Sequence, residues 1–277
     1  MLYVRRTFGY EYPLEEADVV LVGVPWDFSQ TGSPTRYGPL FIREALKNLV
    51  GHDPETGTNP FEKYKFCDLG DIEVVPGNWK LTEERIRDTI KWIFEKNPAV
   101  FPVFLGGDHL VTLGILNSVR SLFETITVVD FDAHMDMMGE FLGEKFSHVT
   151  WARRLLESKG FEMIQIGCRS FTEEEKETAK KFHVKGDAEN LKGPVYLTID
   201  LDVLQTSDVG TPEPGGLAFG ELTKILKDIV AKNRVIGMDI VECASTRVNS
   251  ESSVLAANII KKVLAYAFLK WWQGSRF

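Results

Sequence analysis

Short apolar segments alternate with longer amphipathic segments along most of this chain. The short segments are rich in β-branched residues, and several are apolar at nearly every position. This pattern is typical of strands that are covered on both faces in a parallel sheet. The segments predict seven strands: Asp18–Val24, Lys65–Asp68, Ala99–Leu105, Ile126–Asp130, Met163–Ile166, Val195–Asp200 and Arg234–Ile240.

The longer segments carry apolar residues at helical spacing. They predict seven helices: Pro39–Asn48, Thr82–Glu95, Val111–Leu122, His148–Ser158, Thr172–Lys181, Glu221–Ala231 and Val254–Trp271. Thr172 and Glu175 have the spacing of a capping box, which marks the start of the fifth helix. The repeated strand–helix order predicts the α/β class, with a single three-layer α/β/α domain over residues 1–277 and a mostly parallel central sheet.

Composition narrows the classes of partner. The 277 residues carry a net charge of −8, which argues against nucleic acid or an anionic membrane as the main partner. The sequence shows no uninterrupted apolar run of membrane-spanning length and no signal-peptide core, so we expect a cytoplasmic protein without a membrane partner. The three cysteines are isolated from one another, which predicts reduced thiols rather than disulfides or a zinc ribbon.

Polar motifs follow the third, fourth, sixth and seventh predicted strands. Ligands bind at the carboxyl edge of open α/β sheets, so these motifs are expected to meet at one edge. In chain order they are Gly106–His109, the run Asp132 to Asp136, the pair Asp200 and Asp202, and Glu242.

The run after the fourth strand has the character of a metal site. Asp132, His134 and Asp136 stand at alternate positions, and alternate side chains of an extended backbone point to one side. Asp200 and Asp202 share one face of an extended segment in the same way. Burying unpaired carboxylates is costly, and a bound metal offsets that cost.

His109 joins these residues, since the two glycines before it permit a tight turn beside a strand end. Two histidines and four aspartates make an oxygen-rich ligand set, which suits manganese better than a structural zinc. Six ligands exceed what one ion with open positions needs and suit two ions roughly 3.5–4 Å apart. Such a centre, with four aspartates and a bridging hydroxide, is slightly negative and favours a cationic substrate over a phosphate dianion.

Several motifs together resemble the ureohydrolase family, which contains arginase, agmatinase and formiminoglutamase. The resemblance spans nearly the whole chain, and the motifs occur in the family's usual order. They are Gly23–Asp27, Arg36–Pro39 with Ile42–Glu44, Gly106–His109, Asp132–Asp136, Asp200–Asp202 and Gly210–Gly216.

The resemblance implies two Mn²⁺ ions per chain. The first would be bound by His109, Asp132, Asp136 and Asp200. The second would be bound by His134, Asp132, Asp200 and Asp202. It also implies a trimeric or hexameric homo-oligomer.

The resemblance further implies how the substrate is cleaved. A hydroxide between the ions would attack the guanidinium carbon, Asp136 would help pass a proton to the departing amine, and Glu242 would pair with the guanidinium. Alone, Glu242 reads more simply as a salt-bridged residue at a strand end. His148 matches the family's proton-shuttle histidine; the alternative is a loop residue at a helix start beside Ser147.

The substrate's tail is constrained by one position. In arginase an asparagine that holds the substrate carboxylate would stand at position 138, where this chain has Met138. An apolar side chain leaves that carboxylate without a hydrogen bond, which argues against arginine. The run Thr211–Gly216 is similar to the agmatinase branch. The small-molecule guanidino substrate is therefore expected to be agmatine, cleaved to putrescine and urea.

Other interpretations remain open. The segment Leu204–Ser207 replaces the family's usual Asp-Pro, Leu110 replaces a small polar residue, and Arg247 could face an anionic tail, as in a formiminoglutamate or guanidinobutyrate-type hydrolase. A metallophosphoesterase would show an Asn-His motif and more cationic groups. A deacetylase of related fold would use one zinc and fewer ligands, and a non-catalytic binding protein would have lost ligands.

Overall fold

Seven parallel strands form the central sheet, and all seven strand segments predicted from the sequence are confirmed to within a few residues. The computed structural model describes residues 6–8, 11–28 and 33–272, without the side chains of 271 and 272. The strands are β1 Val19–Val24, β2 Phe66–Asp71, β3 Phe101–Gly106, β4 Ile126–Phe131, β5 Phe161–Ile166, β6 Val195–Asp200 and β7 Val235–Val241. They lie in the order β2-β1-β3-β7-β6-β4-β5, and every pairing is parallel.

Burial of the strands follows their position in the sheet. Every residue of the five inner strands is buried, whereas the edge strands β2 and β5 also carry half-buried and exposed residues. The inner strands are covered by helices on both faces, which is why their sequences are apolar at nearly every position.

The described residues form eight α-helices in two layers. They are α1 Gly38–Asn48, α2 Pro60–Lys63, α3 Trp79–Lys96, α4 Val111–Val119, α5 Trp151–Glu157, α6 Glu173–Lys181, α7 Phe219–Lys232 and α8 Glu251–Trp272. Buried side chains of α1, α7 and α8 form one core with the sheet. Those of α3 to α6 form another on the opposite face. The three-layer architecture is therefore confirmed, and its extension over all of 1–277 stays a prediction.

Three helices begin three residues away from the predicted start, among them α8, which begins at Glu251 rather than Val254. Helix α3 begins at Trp79 rather than Thr82, because the Asn78 side chain caps it by accepting a hydrogen bond from the helix backbone. Helix α5 begins at Trp151, which leaves His148 in the preceding loop and not in the helix. The capping box at the start of α6 is confirmed.

Helix α8 is long and apolar enough to cross a membrane by length and composition alone. However, 67% of its most apolar window is buried inside the protein. Its side chains contribute to the core beside α1 and α7. Central helices of globular proteins pass the same test, so this helix is weak evidence for a membrane span.

Topology brings the predicted polar motifs together. The motifs follow β3, β7, β6 and β4, which are four consecutive strands in the middle of the sheet. Because all strands are parallel, their carboxyl ends form one edge. The four segments therefore converge there, as the sequence predicted.

The turn after β3 requires glycine at position 107. A Cβ added there would lie 1.8 Å from the carbonyl oxygen of Trp26. We predict that Gly107→Ala lowers the free energy of unfolding by about 3 kcal/mol, because backbone must move to relieve this overlap. Gly220, in the first turn of α7, has open space at its Cβ position. Gly220→Ala should instead raise the free energy of unfolding by about 0.5–1 kcal/mol. Urea denaturation measures the free energy of unfolding of both variants. A wild-type value for Gly107→Ala would contradict the prediction.

Candidate metal centre

The loop after β4 brings three candidate ligands together, but not by the expected extended backbone. The His134 amide donates a hydrogen bond to Asp132 Oδ1 at 2.6 Å. Asp136 adopts a left-handed backbone conformation with φ of 52°. These two features turn the chain away from strand geometry, so the prediction of an extended run is wrong. Such conformations are costly for residues other than glycine and often occur at functional sites.

The second acidic pair also departs from the expected geometry. Asp200 is the last residue of β6, and Asp202 lies in a 3-10 turn that follows directly. The Asp202 amide donates to Asp200 Oδ1 at 2.8 Å. The Ala133 amide donates to Asp202 Oδ1 at 2.9 Å, which ties this turn to the loop after β4.

Three carboxylates surround one ring nitrogen of His109. Its Nδ1 lies 3.0 Å from Asp132 Oδ2, 3.3 Å from Asp136 Oδ2 and 3.4 Å from Asp200 Oδ2. All four side chains are buried. These are the four residues that the family resemblance assigns to the first ion.

A second group forms around His134. Its Nδ1 lies 2.9 Å from Asp202 Oδ2 and 3.5 Å from Asp132 Oδ1. One ligand atom from each of these three residues lies within 4.8 Å of the others, which is close enough to hold a metal ion. Asp132 takes part in both groups, so the two groups adjoin.

Hydrogen bonds behind His109 fix which nitrogen faces the carboxylates. Thr198 Oγ1 donates its only proton to Asp239 Oδ1 at 2.6 Å. It must therefore accept from His109 Nε2, which lies 3.0 Å away. With the proton on Nε2, a neutral His109 presents a free lone pair at Nδ1, as a metal ligand requires.

Unsatisfied buried atoms show that the ligand set fits a cation. His109 Nδ1 and Asp132 Oδ2 face each other at 3.0 Å, yet both lack a hydrogen bond of proper geometry. Within the described residues, no lysine or arginine pairs with the cluster's carboxylates. Burial raises the pKa of Asp200 well above its ordinary value, and burial with the charge of Asp132 raises the pKa of Asp136 to about 7. A bound divalent cation would stabilise the charged forms.

Glu242 lies beside this cluster, and only one of its two carboxylate oxygens accepts a hydrogen bond from the described residues. Its Oε1 accepts a hydrogen bond from the His109 amide at 3.0 Å, whereas Oε2 is buried and has no hydrogen-bond partner among the described residues. Its backbone is also left-handed, with φ of 59°. Burial, followed by the charge of Asp108, raises the pKa of Glu242 well above its ordinary value. A cationic ligand at Oε2 would satisfy this carboxylate.

His148 lies in the loop before α5 and is only 5% exposed. Its Nδ1 lies 3.1 Å from Ser147 Oγ, and its ring contacts that of Phe141 edge to face, with 5.5 Å between centroids. Burial lowers the pKa of His148 to about 4. The imidazole is therefore neutral near pH 7 and can accept a proton.

Trp151 was interpreted from the sequence only as a helix residue. It is fully buried, its Nε1 donates to Asp136 Oδ2 at 2.8 Å, and its ring lies 4.5 Å from that of His109. Glu175 likewise has a second role, because it caps α6 through Oε2 and accepts the Met137 amide through Oε1. Nothing in the local pattern indicated either contact.

Two buried acids within apolar strands could have been noticed in the sequence. Asp239 lies inside β7 and anchors Thr198, and Asp130 lies inside β4. Asp130 is within ligand distance of His109 and Asp132. Its free Oδ1 lies 3.8 Å from His109 Nε2, on the ring edge opposite the metal-facing nitrogen. A charged residue in an otherwise apolar strand is the signal that was missed.

Comparison with known proteins agrees with this geometry. The model of the arginase family matches residues 17–265. The chain belongs to the arginase family. It is 34% identical over 279 residues to an N(1)-aminopropylagmatine ureohydrolase of Thermococcus kodakarensis, covering 94% of this chain and 95% of that protein. It is 32% identical to an agmatinase of Pyrococcus horikoshii, covering 95% and 98%. The crystal structure of agmatine ureohydrolase of Thermoplasma volcanium superposes with a TM-score of 0.87 at 26% identity, covering 99% and 98%.

Membership of the arginase family confirms the ureohydrolase resemblance. Two departures from the family's motifs have a structural reason. Leu110 and Leu204 are both buried in the hydrophobic core, so they replace polar residues by packing. Arg247 is exposed in the loop between β7 and α8.

The contact between Trp151 and Asp136 can be tested separately from folding. Trp151→Phe keeps a ring against His109 but removes the N–H that donates to Asp136. We predict that Mn²⁺ affinity falls about tenfold, as is typical when a hydrogen bond to a ligand is lost. Trp92→Phe, at an exposed tryptophan of α3, is the matched control. Calorimetric titration with MnCl₂ measures both, and equal affinities for wild type and Trp151→Phe would refute this role.

Proposed function

We propose that this protein is a binuclear manganese hydrolase that cleaves a guanidino C–N bond, converting agmatine to putrescine and urea. The observation that carries the proposal is the buried cluster of histidines and aspartates with the unpartnered Glu242 Oε2 beside it. An acidic site of this kind favours a cationic guanidinium. Family membership and the agmatinase-type names of relatives support the same activity.

The ligands of the two ions are proposed as the family resemblance implied. One ion would be bound by His109, Asp132, Asp136 and Asp200. The other would be bound by His134, Asp132, Asp200 and Asp202. The contacts around His109 Nδ1 support the first set, and those around His134 Nδ1 support part of the second.

The chain's own residues would then orient the substrate and move protons. When bound, the two ions supply an acidified water as the nucleophile. Glu242 Oε2 binds the guanidinium and holds its carbon at the cluster. Asp136, held by the Trp151 N–H, passes a proton to the departing amine. His148, neutral near pH 7, exchanges protons between the site and solvent.

The residues around the cluster determine which substrate tail the site binds. Met138 offers no hydrogen-bonding side chain for an α-carboxylate. The carboxylate of Glu213 lies 3.9 Å from His134 Nε2 and favours a cationic tail. An N-aminopropyl derivative of agmatine is the second candidate, because one relative bears that name. A guanidino acid would need Arg247 as its partner.

Three further properties belong to the same proposal. The product would place the enzyme in polyamine metabolism. We also propose a cytoplasmic homo-oligomer, trimeric or hexameric, on the basis of family membership and composition.

A urea-release assay tests the substrate. Mn²⁺-loaded protein is compared on agmatine, arginine, guanidinobutyrate and guanidinopropionate, with ammonia or formamide release from formiminoglutamate measured in parallel. We predict that kcat/KM for agmatine exceeds that for each acidic substrate by about 10- to 100-fold, since leaving a carboxylate unpaired costs about 1–3 kcal/mol. Preference for any acidic substrate would overturn the agmatine assignment.

The proton-shuttle role of His148 makes a separate prediction. His148→Ala should lower kcat about 100-fold, within the range for a lost general acid–base group, because no other neutral base replaces it. Mn²⁺ content should stay at the wild-type value, since His148 is not among the proposed ligands. His52→Ala, at an exposed histidine, is the control. Loss of metal from His148→Ala, or full activity, would contradict the assignment.

A further inference from the structure

A narrow cleft opens beside the candidate metal centre. Its volume is about 30 Å³, which is enough for a small group such as an ammonium. Its walls combine aromatic rings with carboxylates. They include Trp26, Phe28, Phe141, Phe146, Asp108 and Glu144.

Two of the aromatic residues of this cleft are exposed to solvent. Phe28 is 53% exposed and Phe146 is 47% exposed, although both are large and apolar. Phe28 packs against Trp26 with 6.1 Å between ring centroids. Exposed aromatic rings grouped around one opening are typical of a surface that binds a ligand.

A tight turn forms one wall of the cleft. The backbones of Phe141 and Glu144 exchange two hydrogen bonds of 2.8 and 2.9 Å. Between them, Leu142 and Gly143 both have positive φ, of 52° and 84°. Leu142 is 74% exposed, so a leucine adopts a costly backbone conformation without burying its side chain. This turn is therefore not explained by packing of its tip.

The cleft adjoins the catalytic residues on two sides. Asp108 in its wall directly precedes His109, and Ser147 in its wall directly precedes His148. The Phe141 ring also packs against the ring of His148. The tail of a substrate bound at Glu242 would then extend past His148 toward the cleft.

We propose that this cleft binds the terminal ammonium of the substrate's tail, with Glu144 as its counter-ion and the rings of Phe28 and Phe146 as cation–π partners. The inference rests on the proposed function, which it deepens by assigning the specificity-determining residues. Aromatic rings and a carboxylate stabilise a cation and repel a carboxylate. The enzyme is thereby selective for guanidines whose tail ends in an amine.

Two larger cavities lie away from the candidate metal centre and are not candidates for binding the substrate's tail. One of about 360 Å³ is lined by residues at the amino ends of the strands, including Asp18 and Arg234. Another of about 550 Å³ lies beside edge strand β2 and α3, near Asp71 and Trp92. No candidate metal ligand lines either cavity.

The test compares agmatine with n-pentylguanidine, in which a methyl group replaces the ammonium. Glu144→Gln should lower the ratio of kcat/KM for agmatine over pentylguanidine about tenfold, because a charge-assisted contact is lost. Phe146→Leu should lower the same ratio about threefold. The matched controls are Glu140→Gln, an exposed acid of the same loop, and Phe171→Leu, an aromatic residue exposed outside the cleft. Both controls should keep the wild-type ratio.

An unchanged ratio in both Glu144→Gln and Phe146→Leu would overturn the proposal, as would equal loss in the control variants. Calorimetric binding of agmatine and pentylguanidine to Mn²⁺-loaded protein provides a second measurement. If the wild type cleaves no guanidine, the proposed function fails. The cleft is then judged by binding alone: weaker agmatine binding in Glu144→Gln, with unchanged pentylguanidine binding, supports it, and equal changes refute it.

Discussion

The cost of burying carboxylates is the main physical constraint at the sheet edge that carries the candidate metal centre. Asp132, Asp136, Asp200, Asp202 and Glu242 are each at most 4% exposed, at the end of an apolar sheet. Burial and mutual repulsion raise the pKa of carboxylates such as Asp136 and Asp200, and bound cations would stabilise their charged forms. Two divalent ions would balance the charge of the four aspartates, and a guanidinium substrate would balance that of Glu242. Metal binding and preference for a cationic substrate therefore have the same electrostatic cause.

Most of the fold was predictable because each element has a local signature. The inner strands are short apolar runs, and the helices carry apolar residues at helical spacing. A capping box such as Thr172–Glu175 marks where a helix begins. The strand order was not predictable, because it depends on packing between segments far apart in sequence. It is this order that places β3, β7, β6 and β4 side by side and brings their motifs to one edge.

The same distinction holds for the site: residue types at strand ends could be recognised in the sequence, but contacts between distant segments could not. His109, Asp132 and Asp200 could be identified by residue type and position at strand ends. The backbone turns at Asp136 and Asp202 could not, because hydrogen bonds between loops set them. The contact of Trp151 with Asp136 and the chain from Asp239 to His109 join residues of different elements. No pattern within one segment encodes such contacts.

The number of bound ions tests the central claim most directly. Protein purified, stripped with chelator, reloaded with MnCl₂ and desalted should contain two manganese per chain by elemental analysis. Asp132→Ala, which removes one of the carboxylates proposed for both ions, should retain at most one. A wild-type content of one manganese, or of no metal at all, would contradict a two-metal hydrolytic centre.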